Sequence, residues 1–132
     1  MSYSNAYSEL RGRFNTSWGS TTPIAWPNAV FTTPLVPWVR FTVRSGEANQ
    51  LTFGASTNNF RHSGVIIIQV FTLLDTGEVL ALQYADQIAS IFRNWCGQSV
   101  RCRTPSVKDI GNDGEGWYQV NVVVPFQWDE LL

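Results

Sequence analysis

The sequence predicts an α+β fold, and three observations carry that prediction. Two segments place apolar residues at steps of three and four, which is typical of helices that bury one face. Several shorter runs alternate apolar with polar residues or are rich in β-branched residues, which is typical of strands. A cluster of Gly, Asn and Asp at residues 111–116 precedes the last of these runs, as in a hairpin. Because the chain has 132 residues, we expect one domain covering residues 1–132.

The first helix is predicted at the N-terminus. Its apolar positions recur at helical spacing, and they are Tyr3, Ala6, Tyr7, Leu10 and Phe14. The next segment, residues 18–37, holds four prolines among Gly, Ser and Thr residues, which break helices and central strands. We therefore expect an extended loop with at most edge strands. Its apolar residues, which include Val30 and Leu35, predict that it packs on the core.

Strands are predicted at residues 38–44, 51–55 and 65–74. In the first strand Val39, Phe41 and Val43 share one face, and the residues between them share the other. The third is a run of β-branched and aromatic residues, which favours a central strand. The intervening residues 45–50 and 56–64 are polar and rich in Asn, Ser and Gly, so we expect exposed connections that are long enough to reach a neighbour.

A second, longer helix is predicted from residue 79 to residue 95. Its apolar stripe consists of Leu80, Tyr84, Ile88, Ile91, Phe92 and Trp95. Three alanines, at positions 81, 85 and 89, accompany this stripe as small neighbours. Thr76 is the expected N-cap, and Gly97 is the expected stop.

The C-terminal third predicts a hairpin. Residues 100–104 alternate, and a further strand is expected to end at about Ile110. Residues 111–116 then form the turn, because Asn, Asp and Gly tolerate the positive φ that such turns need. The return strand, residues 117–124, alternates again, and Pro125 is expected to end its regular pairing.

The composition predicts a protein whose surface is partly covered by partners. Hydrophobic residues make up 44% of the chain and charged residues only 14%, which leaves few charges for a monomer's surface. A net charge of −1 disfavours nucleic-acid binding, which needs a basic field. The chain shows neither a secretory N-terminus nor the ~20 consecutive apolar residues of a membrane span. We therefore expect an intracellular protein in which Cys96 and Cys102 are reduced.

Reactive groups are sparse, so we expect no catalytic site, no metal and no cofactor. His62 is the only histidine, and a lone histidine in a polar loop is usually solvated. The turn after Asp109 is similar to the start of an EF-hand, but Gly111 and Val120 stand where calcium ligands are needed, which favours the hairpin. The adjacent carboxylates at residues 129–130 are interpreted as a solvated tail.

An ordered set of segments spans nearly the whole chain. It comprises Ile24–Asn28 with Phe31, Trp38–Phe41, Arg61–Val65 leading into Ile68–Phe71, Ala85–Ile88 with Ile91–Phe92, and Gly116–Val120 with Val124–Phe126. In this order the set resembles the tail terminator-like proteins of long-tailed bacteriophages. The resemblance implies a mixed, mainly antiparallel β-sheet packed by an N-terminal helix and a longer central helix.

The same resemblance implies a function. It implies a structural virion protein that forms a ring of six copies on the end of the tail tube, stops tube polymerisation and provides the surface for head attachment. The implied partners are other copies of the chain, the major tail tube protein and the head-tail connector protein, with no cofactor. The implied place is the head-tail junction of the virion, after synthesis in the host bacterial cytoplasm. Whether the ring preassembles or closes on the tube from monomers is left open.

Candidate interface residues follow from physical arguments, because the resemblance carries no specific contact residue. A closed ring needs two different patches that meet on neighbouring copies, and polar connections with nearby arginines can supply them. The expected protein-interface residues are Arg40, Arg44, Glu47, Asn49, Asn58, Arg61, His62, Arg101 and Arg103. Cross-strand pairing and ordinary solubility are the alternative explanation of the arginines.

Two other functions compete with tail termination. Another phage head-tail connector or a tail tube protein has the same kind of small α+β domain and also assembles into rings. A small intracellular enzyme or ligand-binding domain would instead need a pocket with a buried polar cluster, for which the sequence supplies few candidates.

Overall fold

The computed structural model describes residues 2–132, which form two helices and a six-stranded sheet. In chain order the elements are α1 (Tyr3–Trp18), β1 (Ile24–Ala25), β2 (Trp38–Gln50), β3 (Asn59–Leu73), α2 (Val79–Phe92), β4 (Val100–Cys102), β5 (Ser106–Asn112) and β6 (Trp117–Leu131). The order across the sheet is β1-β2-β3-β6, and β4 and β5 both pair with β6 along different parts of it. Only β1 and β2 are parallel among these pairs. The α+β prediction, with a mixed and mainly antiparallel sheet, is confirmed.

Helix α1 forms where its pattern predicts it. The Ser2 hydroxyl caps the helix by accepting a hydrogen bond from the Asn5 N–H at 3.3 Å. Gly19, with a φ of 58°, ends the helix and donates its N–H to the Asn15 carbonyl. The helix continues beyond the predicted Phe14 because one further apolar residue extends the stripe. The buried residues are Ala6, Leu10, Phe14 and Trp18.

The segment between α1 and β2 is a loop with one short edge strand, as predicted. β1 covers only the first residues of β2, and Phe31 packs against Trp38 with 5.0 Å between ring centroids. The expectation that Val30 and Leu35 pack on the core is wrong, since their relative exposures are 102% and 90%. Phe31 anchors this loop to the chain, and its flanking apolar side chains face away.

Helix α2 is confirmed, but with 14 residues it is shorter than the 16-residue α1, so the prediction of a longer central helix is wrong. Its ends and its buried face also differ from the prediction. It ends at Phe92, and Asn94, with a φ of 56°, makes the left-handed turn that was expected at Gly97. Thr76 is not the N-cap, because its hydroxyl donates to the Leu73 carbonyl at 2.6 Å. The buried face is Ala81, Ala85, Ile88, Ala89 and Phe92. Small alanines let the helix lie close to the sheet, so Leu80 of the predicted stripe stays exposed.

Strands β2 and β3 are much longer than predicted, and they form one hairpin. Residues 45–50 and 59–64 are paired strand rather than connections, whereas the predicted strand at 51–55 lies in the loop that joins them. Residues 44–57 are exposed throughout, so no apolar alternation marks them as strand. We call residues 45–64, together with the end of β6 at residues 126–131, the tongue.

Strand β6 passes through Pro125 without interruption, which contradicts the expected end at that residue. Pro125 pairs with Val65 of β3, and its carbonyl accepts the Arg103 N–H at 2.7 Å on the opposite side. In an antiparallel strand the N–H and C=O of one residue point the same way. The missing N–H of Pro125 therefore faces the gap between β4 and β5, and the β3 ladder loses nothing.

The hairpin between β5 and β6 is confirmed. The Asp113 carboxylate accepts hydrogen bonds from the Glu115 and Trp117 N–H groups at 2.7 and 3.1 Å. Gly114 and Gly116 have φ values of 83° and 94°, which side chains rarely allow. The acidic turn is thus organised as a turn, as the sequence favoured over a calcium loop. No helix in the described chain is long and apolar enough to cross a membrane.

The core lies between the helices and one face of the sheet. Alternate residues of β2, β3 and β6 point towards the helices and are fully buried, as in Phe41, Ile68 and Val122, which pair side by side. Phe14 of α1 stacks on Phe41 at 5.4 Å between centroids. The opposite face of the sheet has no helix over it in the described part of the chain.

Candidate protein-interaction surfaces

The helix-free face of the sheet, called the open face here, holds most of the predicted arginines. Because Val39 and Phe41 point towards the helices, Arg40 and Arg44 point to the open face. Partly exposed apolar residues occupy its centre, namely Val65, Ile67, Val123 and Pro125. The open face therefore combines an apolar centre with a cationic row along β2, a pattern that fits a protein partner.

One end of the open face carries an aromatic cluster. Trp38 stacks on Phe71 with 4.2 Å between ring centroids. The Arg40 guanidinium lies 5.3 Å from the centre of the Trp38 ring, within the range of a cation–π contact. A cavity of about 240 Å³ opens beside it, and Asp113 and Glu115 contribute to its walls. Arg40 is therefore held by aromatic contacts at a polar hollow.

Three predicted interface residues lie near the tip of the tongue. Two of them are exposed, and the third shapes the loop at the tip. Glu47 and Asn49 lie on β2 near its end and are exposed. The Asn58 side chain instead donates to the Ala55 carbonyl at 3.0 Å, which closes the loop between the strands. The tongue therefore presents Glu47 and Asn49 to its surroundings, while Asn58 maintains its shape.

His62 does not lie in a solvated loop, which corrects the sequence interpretation. It lies on β3 with 8% relative exposure. Its Nε2 is 2.9 Å from the Glu130 carboxylate, and its Nδ1 is 3.0 Å from the Tyr3 hydroxyl. The ring also stacks on Trp128 at 4.0 Å between centroids. His62 thus ties the start of α1 to the base of the tongue, and its partners belong to its own chain.

The adjacent carboxylates at the C-terminus are part of β6, not a solvated tail. Asp129 accepts two hydrogen bonds from Arg61, at 2.8 and 3.0 Å, in a bidentate ion pair across the β3–β6 ladder. The hydrogen bonds from Arg61, followed by its charge, hold the pKa of Asp129 below its ordinary value. Arg61 is accordingly engaged within its own chain.

The Asp129 ion pair predicts a pH dependence of stability. Since the folded chain lowers the pKa of Asp129, the pair stabilises the fold above the unfolded value of about 3.9 and is lost as the pH falls further. Asp129→Asn is expected to lower stability at pH 7 and to flatten its decline towards pH 2. Urea titrations at several pH values measure this effect, with Asp86→Asn on the exposed side of α2 as the control. Parallel pH profiles for wild type and Asp129→Asn would contradict the prediction.

Arg101 and Arg103 lie at the β4 edge, beside the tongue. Arg101 pairs with Gln127 in the ladder and lines a hollow of about 160 Å³ that Asp129 also lines. Arg103 donates to the Gln127 side-chain carbonyl at 2.7 Å. Both arginines are exposed. The structure thus brings Arg101 near the pair of Arg61 and Asp129, whereas Arg40 and Arg44 follow the opposite edge of the same face.

The two cysteines are free and lie close together, Cys96 before β4 and Cys102 as the last residue of β4. Cys96 is exposed and forms an isolated bridge with Arg101, while Cys102 is partly buried. Burial, followed by the nearby Cys96, raises the pKa of the Cys102 thiol to about 12. A thiol with such a pKa stays protonated at neutral pH and is a poor nucleophile.

Sequence reasoning missed a set of exposed apolar side chains. Val30 and Leu35 project from the loop before β2, and Phe53 projects from the tip of the tongue with 76% exposure. The composition of residues 27–37 could have indicated an exposed apolar loop, because this segment includes three prolines and no charged residue. Among the described residues, no group of three or more His, Cys, Asp or Glu side chains is placed to hold a metal ion.

Comparisons with known proteins agree with this architecture. One solved structure superposes with a TM-score of 0.68 over 92% of this chain and 94% of its own, at 20% identity, which shows a shared fold. A search of the curated proteins found no match. A family model described as "Phage tail terminator protein" matches residues 7–126, which is most of the chain. The chain therefore belongs to the phage tail terminator protein family and is a structural component of a phage tail.

Proposed function

We propose that copies of this chain form a ring on the end of the phage tail tube, stop its polymerisation and provide the surface for head attachment. The family match over residues 7–126 carries the proposal. The uncovered open face of the sheet supports it, because a chain with 14% charged residues leaves apolar surface that assembly would cover. The role is non-enzymatic and depends on binding energy alone.

Termination requires only two different surfaces on the ring. One face of the ring fits the growing end of the tube, and the other face does not reproduce that end. Further tube protein then lacks its template, and the second face is free for the head-tail connector protein. The proposed partners are therefore other copies of the chain, the major tail tube protein and the connector, at the head-tail junction.

A ring of six copies requires a heterologous contact, in which one patch meets a different patch on the next copy. The structure offers separate candidates for these patches at the open face, the tongue and the β4 edge. We assign the predicted arginines of the open face to contacts across copies or with tube protein. Arg40 and Arg44 are the leading pair, because neither lies in an intrachain ion pair within residues 2–132.

Charge reversal tests this assignment. The double variant Arg40→Glu/Arg44→Glu is expected to weaken tube capping by about tenfold or more, since like charges at a complementary interface are repulsive. Purified tube protein is polymerised with each variant, and negative-stain images give the distribution of tube lengths and capped ends. Arg93→Glu, exposed just after α2, is the matched control.

Two outcomes would count against the proposal. Normal capping by Arg40→Glu/Arg44→Glu would remove these arginines from the interface. Wild-type chain that adds to tubes and lengthens them, instead of capping them, would identify a tube protein rather than a terminator.

A further inference from the structure

The outer edge of β2 is open along most of its length. β1 pairs only with Val39 and Arg40, and from Thr42 onward β2 pairs with β3 alone in the part of the chain that the structure describes. The Val39 N–H donates to the Pro23 carbonyl on the outer side at 3.1 Å. Main-chain groups alternate in direction along a strand, so Val43 and Ser45 also direct their N–H and C=O groups outward.

A groove lies beside these two residues. It has a volume of about 160 Å³ and lies between the first turns of α1 and the helix-facing side of the sheet, where Phe126 and Trp128 of β6 also line it. Tyr3 and Tyr7 form its helical wall, Val43 and Ser45 form its strand wall, and no charged residue lines it. An unpaired strand edge beside a pocket is the arrangement that accepts an added strand, because main-chain bonds give affinity and the pocket selects a side chain.

The same chain contains a segment suited to that site. Residues 30–34 form neither helix nor turn, and residues 27–37 carry no charge. Val30 and Leu35 are the most exposed large hydrophobic side chains of residues 2–132, at 102% and 90%. An uncharged segment matches an uncharged groove, because burying a charge there would be costly. Phe31 holds the segment against Trp38 of its own chain.

We propose that the open edge of β2, with its groove, accepts residues 30–35 of a second copy of this chain as an added strand. The inference rests on the proposed ring, and the two patches are distinct, because the loop packs beside Trp38 on the open face whereas the groove lies on the helix-covered face. The loop precedes Trp38, and the groove lies beside Val43 and Ser45. Contact between the loop of one copy and the groove of the next is therefore heterologous, as a closed ring requires.

The bulge in β2 limits the length of the added strand. The register between β2 and β3 shifts between Ser45 and Ala48, so the regular open edge ends at Ser45. The available edge is then a few residues long, similar to the stretch between Val30 and Pro34. Pro34 is tolerated within such a strand when its missing N–H faces away from β2, because the added strand is itself an edge strand.

Association of the purified full chain tests the donor segment. Val30→Asp/Leu35→Asp is expected to weaken self-association by about thirtyfold or more, as for loss of an interface anchor. Sedimentation velocity across concentrations measures this change. Val79→Asp, which alters an exposed apolar side chain at the start of α2, is the matched control and should assemble as wild type. Unchanged assembly of the donor variant would overturn the proposal.

A second experiment addresses the acceptor directly. A synthetic peptide of residues 27–37 is expected to bind the wild-type chain with a Kd of about 1 mM or tighter and to shift the amide resonances of Val43 and Ser45. Ser45→Pro removes one outward N–H and should abolish the shift of the Val43 resonance. Val43→Lys, which alters the groove without a backbone change, should abolish the shift of the Ser45 resonance. Circular dichroism checks that both variants fold.

The peptide experiment also applies to a chain that stays monomeric until it meets the tube. Absence of peptide binding by a folded wild-type chain would overturn the inference. A tube-capping assay on the same preparation separates this failure from failure of the proposed function. If the chain caps tubes but does not bind the peptide, only the proposed strand addition is contradicted. If the chain binds the peptide but does not cap tubes, the contact between copies stands and the proposed terminator function is contradicted.

Discussion

Phe14→Ala is expected to lower the free energy of unfolding by about 3–5 kcal/mol, the cost of removing a fully buried phenylalanine. The Phe14 ring is 0% exposed and stacks on rings from three elements. Its centroid lies 5.4 Å from that of Phe41, 6.2 Å from that of Phe92 and 5.8 Å from that of Trp18. Alanine would leave a cavity where α1, α2 and β2 meet, and aromatic rings around it cannot close the gap without leaving their stacked positions.

Urea titration followed by tryptophan fluorescence measures this loss. Phe53→Ala is the control, because Phe53 is 76% exposed and such surface changes usually stay within about 0.5 kcal/mol. An equal effect of the two substitutions would show that α1 does not pack on the sheet through Phe14. Under the proposed strand addition, a destabilised Phe14→Ala chain should also assemble poorly, because the first turns of α1 form one wall of the groove.

The elements that sequence predicted well are those with one buried face. Val39 and Phe41 alternate with exposed residues because helices cover only one side of β2, and the four-residue steps of Leu10 and Phe14 follow the sheet beneath α1. Burial on one side leaves a periodic trace in the sequence. For α2 the buried face was predicted along the larger apolar residues. The structure buries Ala81 and Ala85 instead, because small side chains let the helix approach the sheet closely.

The tongue could not be predicted for the same physical reason. Residues 45–50 are exposed on both faces, so their strand conformation depends on main-chain pairing with β3 and not on a pattern of side chains. Ion pairs between residues far apart in the sequence could not be predicted either. Arg61 and Asp129 are far apart in the sequence and meet only because β3 and β6 are neighbours in the sheet.

The candidate interaction surface was predicted in part. Alternation along β2 placed Arg40 and Arg44 on the polar face, and that face is the open one. The placement of His62 in a loop was wrong because residues 59–64, which were predicted as part of a connection, belong to strand β3. Val30 was assigned to the core on hydrophobicity alone, although an isolated valine near prolines carries no periodicity that fixes its direction. Whether these residues contact partners stays a prediction.

Gly64→Ala is expected to destabilise the fold by about 1–3 kcal/mol, as for overpacking in a tight site. Gly64 lies in the centre of the β2-β3-β6 sheet, at the base of the tongue. A Cβ there would lie 2.5 Å from the Arg44 carbonyl oxygen and 2.8 Å from the Phe126 ring. The oxygen belongs to the β2–β3 ladder, so relief requires a shift of backbone and a change in the direction of the tongue.

Gly12→Ala provides the matched control, because the same methyl group should have the opposite effect there. Gly12 lies within α1 with nothing within 4 Å of its Cβ position, and alanine in a helix is favoured over glycine by about 1 kcal/mol. Urea titrations of both variants measure the sign of each change. If Gly64→Ala were as stable as wild type, Gly64 would not pack against Phe126 and the Arg44 carbonyl as described.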